Sequence, residues 1–299
     1  MASPTGTILI TGGSGKVGSC LADLCQSSST PYLLAHRSSS SSTSSTGRPT
    51  VKFDWTDRAT WSNPFTTNSS KTSPITAVFL VSPRIFDSAA IINDFIDLAR
   101  TQHGVNRFVL LGSSAIEAGG PSYGATAKYM QDLGGQGEIE FGVMRPTWFM
   151  DNWSEHDILR RPVREEGKVY SATGDGKIPW VSKTDIAACA FQALTAERAP
   201  NGDYIILGPE LLSYGDCADI LTEITGKKII HENVTAEELA SHYTKIMGFS
   251  EVHANFLGSM DVMIKNGLEN RLNDVVLSVT GKKPKTFREF AQEHRDAWI

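Results

Sequence analysis

Gly12, Gly15 and Gly18 recur every third residue directly after the apolar run Ile8-Leu9-Ile10, and Gly13, Gly15 and Gly18 satisfy a second spacing, G-x-G-x-x-G. Glycines placed this way at the end of a strand serve phosphate chemistry. Gly12 and Gly13 permit a tight turn with unusual backbone angles, Gly15 lets backbone N–H groups approach a pyrophosphate, and Gly18 lets the following helix pack closely on the strand. A helix opening at Lys16-Val17, with Ser14 just ahead of it, turns its unsatisfied N–H donors and partial positive charge toward the anion. A dinucleotide is the ligand this pattern predicts.

The end of the next strand distinguishes two such dinucleotides. A site for NAD places Asp or Glu there to accept from the ribose hydroxyls. Here the sequence reads Ala35-His36-Arg37-Ser38-Ser39, with a guanidinium, hydroxyls and no acid. Arg37 and Lys16 favour a 2′-phosphate, so NADP(H) is the predicted cofactor, and His36 flanks its adenosine.

The surrounding pattern supplies the elements that hold this turn. Strands are predicted at Thr7–Thr11, Tyr32–Ala35, Val51–Phe53, Ala77–Val81, Arg107–Leu111 and Phe141–Met144, and helices at Lys16–Ser27 and residues 87–103, where Gly104 stops the chain. Near-continuous apolar strands alternating with helices indicate a parallel sheet covered on both faces. Beyond residue 150 helical patterns dominate, at 184–196, 213–225, 235–247, 251–268 and 286–298, with turns at Gly174-Asp175-Gly176 and Gly208-Pro209 between short strands. The predicted fold is α/β: a doubly wound parallel-sheet Rossmann domain over residues 1–150, and a smaller, mostly helical C-terminal substrate lobe over 151–299, parts of which return to the sheet. Ser38–Ser45, all Ser and Thr, is expected to be a mobile solvated loop.

Composition excludes several classes. The chain has 299 residues, 40% hydrophobic and 20% charged, with a formal net charge of −5; that supports a sizeable core and gives no basic stripe for nucleic acid. No apolar run approaches the ~20 residues of a membrane span, and the N-terminus lacks a secretory signal. Cys20, Cys25, Cys189 and Cys217 form no CxxC pair and no zinc spacing, so no metal is expected, and free thiols in the cytoplasm are. Of the seven histidines, the six other than His36 show no ligand spacing and are expected mostly at the surface. A monomer or homodimer is equally compatible with the pattern.

Several blocks resemble a known family. Thr11-Gly12-Gly13-x-Gly15-x-x-Gly18, Phe53-Asp54-Trp55, Val81-Ser82-Pro83, Leu110-Leu111-Gly112-Ser113-Ser114 and Met144-Arg145-Pro146-Thr147-Trp148-Phe149-Met150-Asp151-Asn152 resemble the NmrA-like branch of atypical short-chain dehydrogenases. Tyr170-Ser171-Ala172-Thr173-Gly174-Asp175-Gly176-Lys177-Ile178-Pro179 and Gly208-Pro209-Glu210-Leu211-Leu212 narrow the resemblance to the fungal ergot-alkaloid group of festuclavine synthases and agroclavine dehydrogenases. The resemblance implies that the glycine turn holds the pyrophosphate, Arg37 and Ser38 the 2′-phosphate, Asp54 and Trp55 the adenine edge, and Val81, Ser82 and Pro83 the nicotinamide ribose. It implies that Pro146, Thr147, Trp148 and Phe149 shape the nicotinamide face. The substrate pocket would draw on Tyr123, Trp148, Phe149, Met150, Asn152, Trp153 and Trp180, with simple core packing as the other reading for Trp148, Phe149 and Met150.

The usual short-chain dehydrogenase joins Ser, Tyr and Lys in catalysis, with Tyr-x-x-x-Lys on one helix face so that lysine lowers the phenol pKa. Ser113 and Ser114 stand at the right strand end and Lys128 follows Tyr123 by five, not four. Five residues rotate a helical position by about 140°, so Tyr123 and Lys128 do not share a face. A loop-borne Tyr123 could still reach a substrate, and Lys128, like Ser113 and Ser114, is expected to meet the cofactor, at its nicotinamide ribose. A weakened proton-donating couple suits hydride addition to an iminium, which yields a neutral amine. It equally suits a cyclase of [4+2] type, where positioning does the work. The expected partner is thus a small indole alkaloid, with NADPH-dependent iminium reduction as the first reading, Diels-Alderase-type cyclisation as the second, and a non-catalytic NADP-sensing regulator as the third.

Overall fold

The computed structural model describes residues 6–37, 47–66, 73–83, 85 and 87–299. Ser38, and with it the Ser38–Ser45 loop, lies outside the described residues. Two compact units emerge: one runs to Pro146 and takes in Lys183–Ile205, and the other comprises Thr147–Ser182 and Ile206–Ile299.

The first unit is built on strands β1 (Thr7–Ile10), β2 (Tyr32–His36), β3 (Thr50–Lys52), β4 (Ile75–Val81), β5 (Arg107–Leu111) and β6 (Glu140–Pro146). With β8 (Gly202–Ile206) they form a seven-stranded sheet of order β3-β2-β1-β4-β5-β6-β8. Every pairing from β3 to β6 is parallel. Strand order reverses direction between β1 and β4, and in open α/β sheets that crevice is where ligands bind.

Both faces of the sheet are apolar because residues alternate across it. Leu9, Leu33, Val78, Leu80, Phe108, Leu110 and Val143 meet Ile92, Phe95, Ile96 and Ala99 of helix Ala89–His103 and Ala127, Met130 and Leu133 of helix Tyr123–Gly135 in one core. Ile8, Ile10, Phe79 and Val109, their neighbours in sequence, are equally buried, and helix Lys16–Ser27 packs on helix Lys183–Thr195. That last helix and β8 follow a long excursion into the second unit, so the first unit extends past the boundary expected near residue 150. The predicted parallel sheet with both faces covered is observed.

In the second unit the pattern is helical, as predicted, around a feature the sequence reading did not pair. β7 (Lys168–Ser171) and β9 (Ile230–Asn233) form a two-stranded parallel sheet, with Lys168 opposite Ile230. Its core is aromatic: Trp153 lies edge-on to Trp180 at 5.6 Å and to Phe287 at 5.5 Å, and the Trp298 indole donates to the Trp153 carbonyl at 2.8 Å. Among the described residues no helix is long and apolar enough to cross a membrane.

Candidate functional site

The glycine turn lies where β1 feeds helix Lys16–Ser27. Thr11 at its start accepts the Val81 N–H at 2.8 Å and donates to the Phe79 carbonyl at 2.9 Å, tying the ends of β1 and β4 together. Gly12 adopts φ +65°, a conformation that L side chains resist. A Cβ at Gly18 would stand 2.4 Å from the Gly12 carbonyl oxygen, so helix and turn meet as closely as backbone allows. Gly15 is the residue before the helix and no side chain caps it, while Gly12, Ser14 and Gly15 are exposed and Val17 is buried against the sheet. The turn therefore offers solvent a short arc of backbone. Lys16 is half-buried at the first helical position.

At the end of β2 the half-buried His36 holds a buried Nε2 that finds no partner among the described residues, and burial keeps its pKa below the usual imidazole value. Arg37 is exposed beside it. Asp54 is half-exposed; hydrogen bonds from the Thr56 backbone and hydroxyl keep its pKa low, with a smaller contribution from the Arg37 charge. The Trp55 indole turns the other way, into a cluster with Phe53 at 4.9 Å, Phe95 at 5.3 Å and Trp61 at 6.5 Å, which leaves Asp54 as the member of that pair whose side chain reaches the surface. His36 and Arg37 at the end of β2, and the glycine turn at the end of the paired strand β1 that a Cβ would fill, fit an adenosine carrying phosphate.

Val81, Ser82 and Pro83 are half-buried at the end of β4. From Ser82 a chain of hydroxyls leads onward: Ser82 Oγ to Ser88 Oγ at 2.7 Å, and Ser88 Oγ to Ser122 Oγ at 3.1 Å. Ser122 has φ +52°, a strained conformation for a residue with a side chain, and directly precedes Tyr123 at the start of its helix. Sequence reading missed both Ser88 and Ser122, since a scattered serine carries no periodic signal.

At the end of β5 Ser113 lies near the Tyr123 phenol. Burial raises the Tyr123 pKa above its ordinary value, while the Ser113 hydroxyl and the Arg145 charge work the other way. Ser114 is buried and its N–H donates to the Pro146 carbonyl at 2.9 Å. Lys128 does not join them: its ammonium bonds Asp132, one turn further along the same helix, at 2.5 Å. The structure thus brings Ser113 and Tyr123 together and leaves Lys128 on another face, as the five-residue spacing implies.

In the second unit the residues proposed to line a substrate pocket divide by burial. Met150, Trp153 and Trp180 are fully enclosed in the aromatic core, whereas Trp148, Phe149 and Asn152 are half-exposed. Thr147 is buried; its hydroxyl donates to Glu269 Oε2 at 3.1 Å and its N–H to the Ile206 carbonyl at 3.1 Å. Glu269, itself wholly buried, was not singled out from the sequence, where it stands among loop residues. Histidines expected mostly at the surface include His231, which is half-buried and bonded to Ser171 Oγ at 2.7 Å.

A fold with a glycine turn at the switch point and Ser–Tyr at the next strand end defines a nucleotide-dependent short-chain dehydrogenase. Residues 8–130 match the NAD dependent epimerase/dehydratase family. Festuclavine synthase II of Penicillium roqueforti is 43% identical over 293 residues, covering 98% of this chain and 99% of its own. Agroclavine dehydrogenase of Claviceps fusiformis is 39% identical over 294 residues, covering 98% and 99%. In solved structures, the NADP(H) complex of Citrobacter sp. triphenylmethane reductase superposes with a TM-score of 0.77 at 18% identity, over 96% of this chain and 99% of its own. The NADPH complex of an Escherichia coli quinone oxidoreductase gives the same TM-score, identity and coverage. The chain belongs to the NmrA-like short-chain dehydrogenase family, in the group that holds the fungal festuclavine synthases and agroclavine dehydrogenases.

Proposed function

We propose that this protein is an NADPH-dependent reductase of a cyclic iminium in a fungal indole-alkaloid pathway, working in the cytoplasm. The observation that carries the reading is the pairing of Lys128 with Asp132, which leaves Tyr123 without the lysine of a carbonyl reductase. Hydride addition to a ketone creates an alkoxide that must be protonated; addition to an iminium creates a neutral amine and needs no donor. The high identity to festuclavine and agroclavine enzymes over nearly all of the chain supports the same substrate class.

In this reading the ends of β1, β2 and β4 bind the cofactor. Gly12, Gly13, Ser14, Gly15, Lys16, Val17 and Gly18 hold the pyrophosphate, Arg37 and Ser38 the 2′-phosphate, His36 and Asp54 the adenosine, and Val81, Ser82 and Pro83 the nicotinamide ribose. NADPH, when bound, supplies the hydride. Ser113 and Tyr123 orient the substrate by hydrogen bonding, and Trp148, Phe149 and Asn152 present the half-exposed surface suited to a flat apolar ring system. Buried free thiols at Cys25, Cys189 and Cys217 fit a reducing compartment.

The test is incubation of the purified chain with NADPH and a cyclic indole iminium, or with NADP⁺ and festuclavine or agroclavine in the reverse direction. Amine formed in step with NADPH consumed supports the reading. Ring closure without cofactor oxidation replaces it with a cyclase, and cofactor binding with no chemistry on any of these compounds replaces it with a regulator.

A further inference from the structure

We propose that Arg145 is the positioning residue of the Ser113–Tyr123 couple, the buried cation that stands behind these two hydroxyls where Lys128 does not. Arg145 sits in β6, between β5 and β8 in the sheet, directly after the run Phe141-Gly142-Val143-Met144. A guanidinium there is 7% exposed and is tolerable only if its donors are used. They are: Nε donates to the Ser113 carbonyl at 3.1 Å, Nη2 to the Ser114 carbonyl at 3.0 Å, and Nη1 to Asp203 Oδ2 on β8 at 3.1 Å.

One planar fork holding two successive carbonyls fixes the peptide between Ser113 and Ser114, and with it the direction in which the Ser113 hydroxyl leaves the backbone. That hydroxyl stands near enough to Tyr123 to favour its phenolate. Gly112 lies beside both residues: a Cβ there would stand in ordinary contact with the Arg145 stem at 3.4 Å and the Tyr123 ring at 3.7 Å. A lysine in place of Arg145 would keep the charge and lose the fork.

The charges around Tyr123 come from several elements. Arg145 on β6 favours the phenolate, and Asp203 on β8 bonds that guanidinium; burial raises the Asp203 pKa and Arg145 lowers it, with Glu117 of the preceding loop also raising it. On Tyr123's own helix, Lys128 and Asp132 satisfy one another. The phenol is thus tuned from the sheet and not from the helix.

This inference uses the proposed function only to give Tyr123 a substrate; the phenol titration needs neither substrate nor cofactor. Ultraviolet difference titration of the full chain, with Tyr123→Phe subtracting the other tyrosines and thermal melting as control, reads the couple directly. Arg145→Met should move the Tyr123 titration to higher pH, Arg145→Lys should bring it back toward the parent, and Asp203→Asn should move it lower. In the amine dehydrogenation assay Arg145→Met should lower kcat about ten- to a hundred-fold, the loss typical of a misplaced site group, with KM changing little. A Tyr123 titration unchanged in all folded variants overturns the proposal, even where melting temperatures fall. If Arg145→Met does not fold, Arg145→Lys and Asp203→Asn decide, and an unmoved titration in Asp203→Asn overturns it. A parent protein inactive on the alkaloids refutes the functional reading alone, since the titration stands apart from it.

Discussion

Lys128 and Asp132 form an ion pair one helical turn apart, on the helix that Tyr123 opens. Both side chains are about half exposed, so the bridge itself contributes little, about 0.3–0.5 kcal/mol for a pair of this spacing. Lys128→Met should therefore leave kcat/KM for amine dehydrogenation within about two-fold of the parent and the melting temperature nearly unchanged. A hundred-fold loss would put Lys128 back beside the phenol, as in carbonyl reductases.

Gly18 tests the cradle. With 2.4 Å between its virtual Cβ and the Gly12 carbonyl oxygen, Gly18→Ala must push helix Lys16–Ser27 off the turn. The expected cost is about 1–3 kcal/mol of stability, as for other overpacked positions. Calorimetric NADPH affinity should fall further than stability does, because the displaced N–H groups are those that meet the pyrophosphate.

Arg37 tests coenzyme choice. Replacing it with Glu removes a charge-assisted bond to the 2′-phosphate, worth about 1.5–3 kcal/mol, and adds an acid of the kind found in NAD sites. NADPH affinity should drop roughly ten- to a hundred-fold while NADH affinity holds or improves. Equal losses for both coenzymes would remove Arg37 from the phosphate site.

Asp261 provides a pH prediction in the second unit. It is 8% exposed, accepts the Ala172 N–H at 2.9 Å, and burial pushes its pKa up to about 6. The folded carboxyl keeps its proton where the unfolded one has lost it, so stability falls as pH rises from about 4 to about 6 and stays lowered above that. Asp261→Asn retains an acceptor for Ala172 and abolishes this term. It should stabilise the protein at pH 8, on the order of 1–3 kcal/mol, and bring no gain at pH 4. Denaturant unfolding at the two pH values checks the difference.

Much of the first unit was legible because its signals are local. The apolar runs of β1, β4 and β5 fall within a residue or two of where the sequence reading put them, as do helices Lys16–Ser27 and Ala89–His103. Trp153 and Trp180 show the opposite case. An aromatic residue near a proposed site has the same sequence signature whether it meets a ligand or a neighbouring ring, and only packing assigned these two to the core of the second unit. Arg145 did carry a signal that was passed over, since a charge within a buried strand must have partners.

From sequence alone came the glycine turn, the absence of an acid after β2, and the five-residue step from Tyr123 to Lys128, because each depends on residue type and short spacing along the chain. Tertiary structure alone decided that β8 rejoins the main sheet, that β7 pairs with β9, and that Arg145 reaches Ser113, Ser114 and Asp203 at once. These contacts join residues 31 to 64 positions apart, from Arg145–Ser114 to Lys168–Glu232. No local periodicity encodes such pairings; burial of apolar faces brings them together, and the polar groups caught between must then find one another.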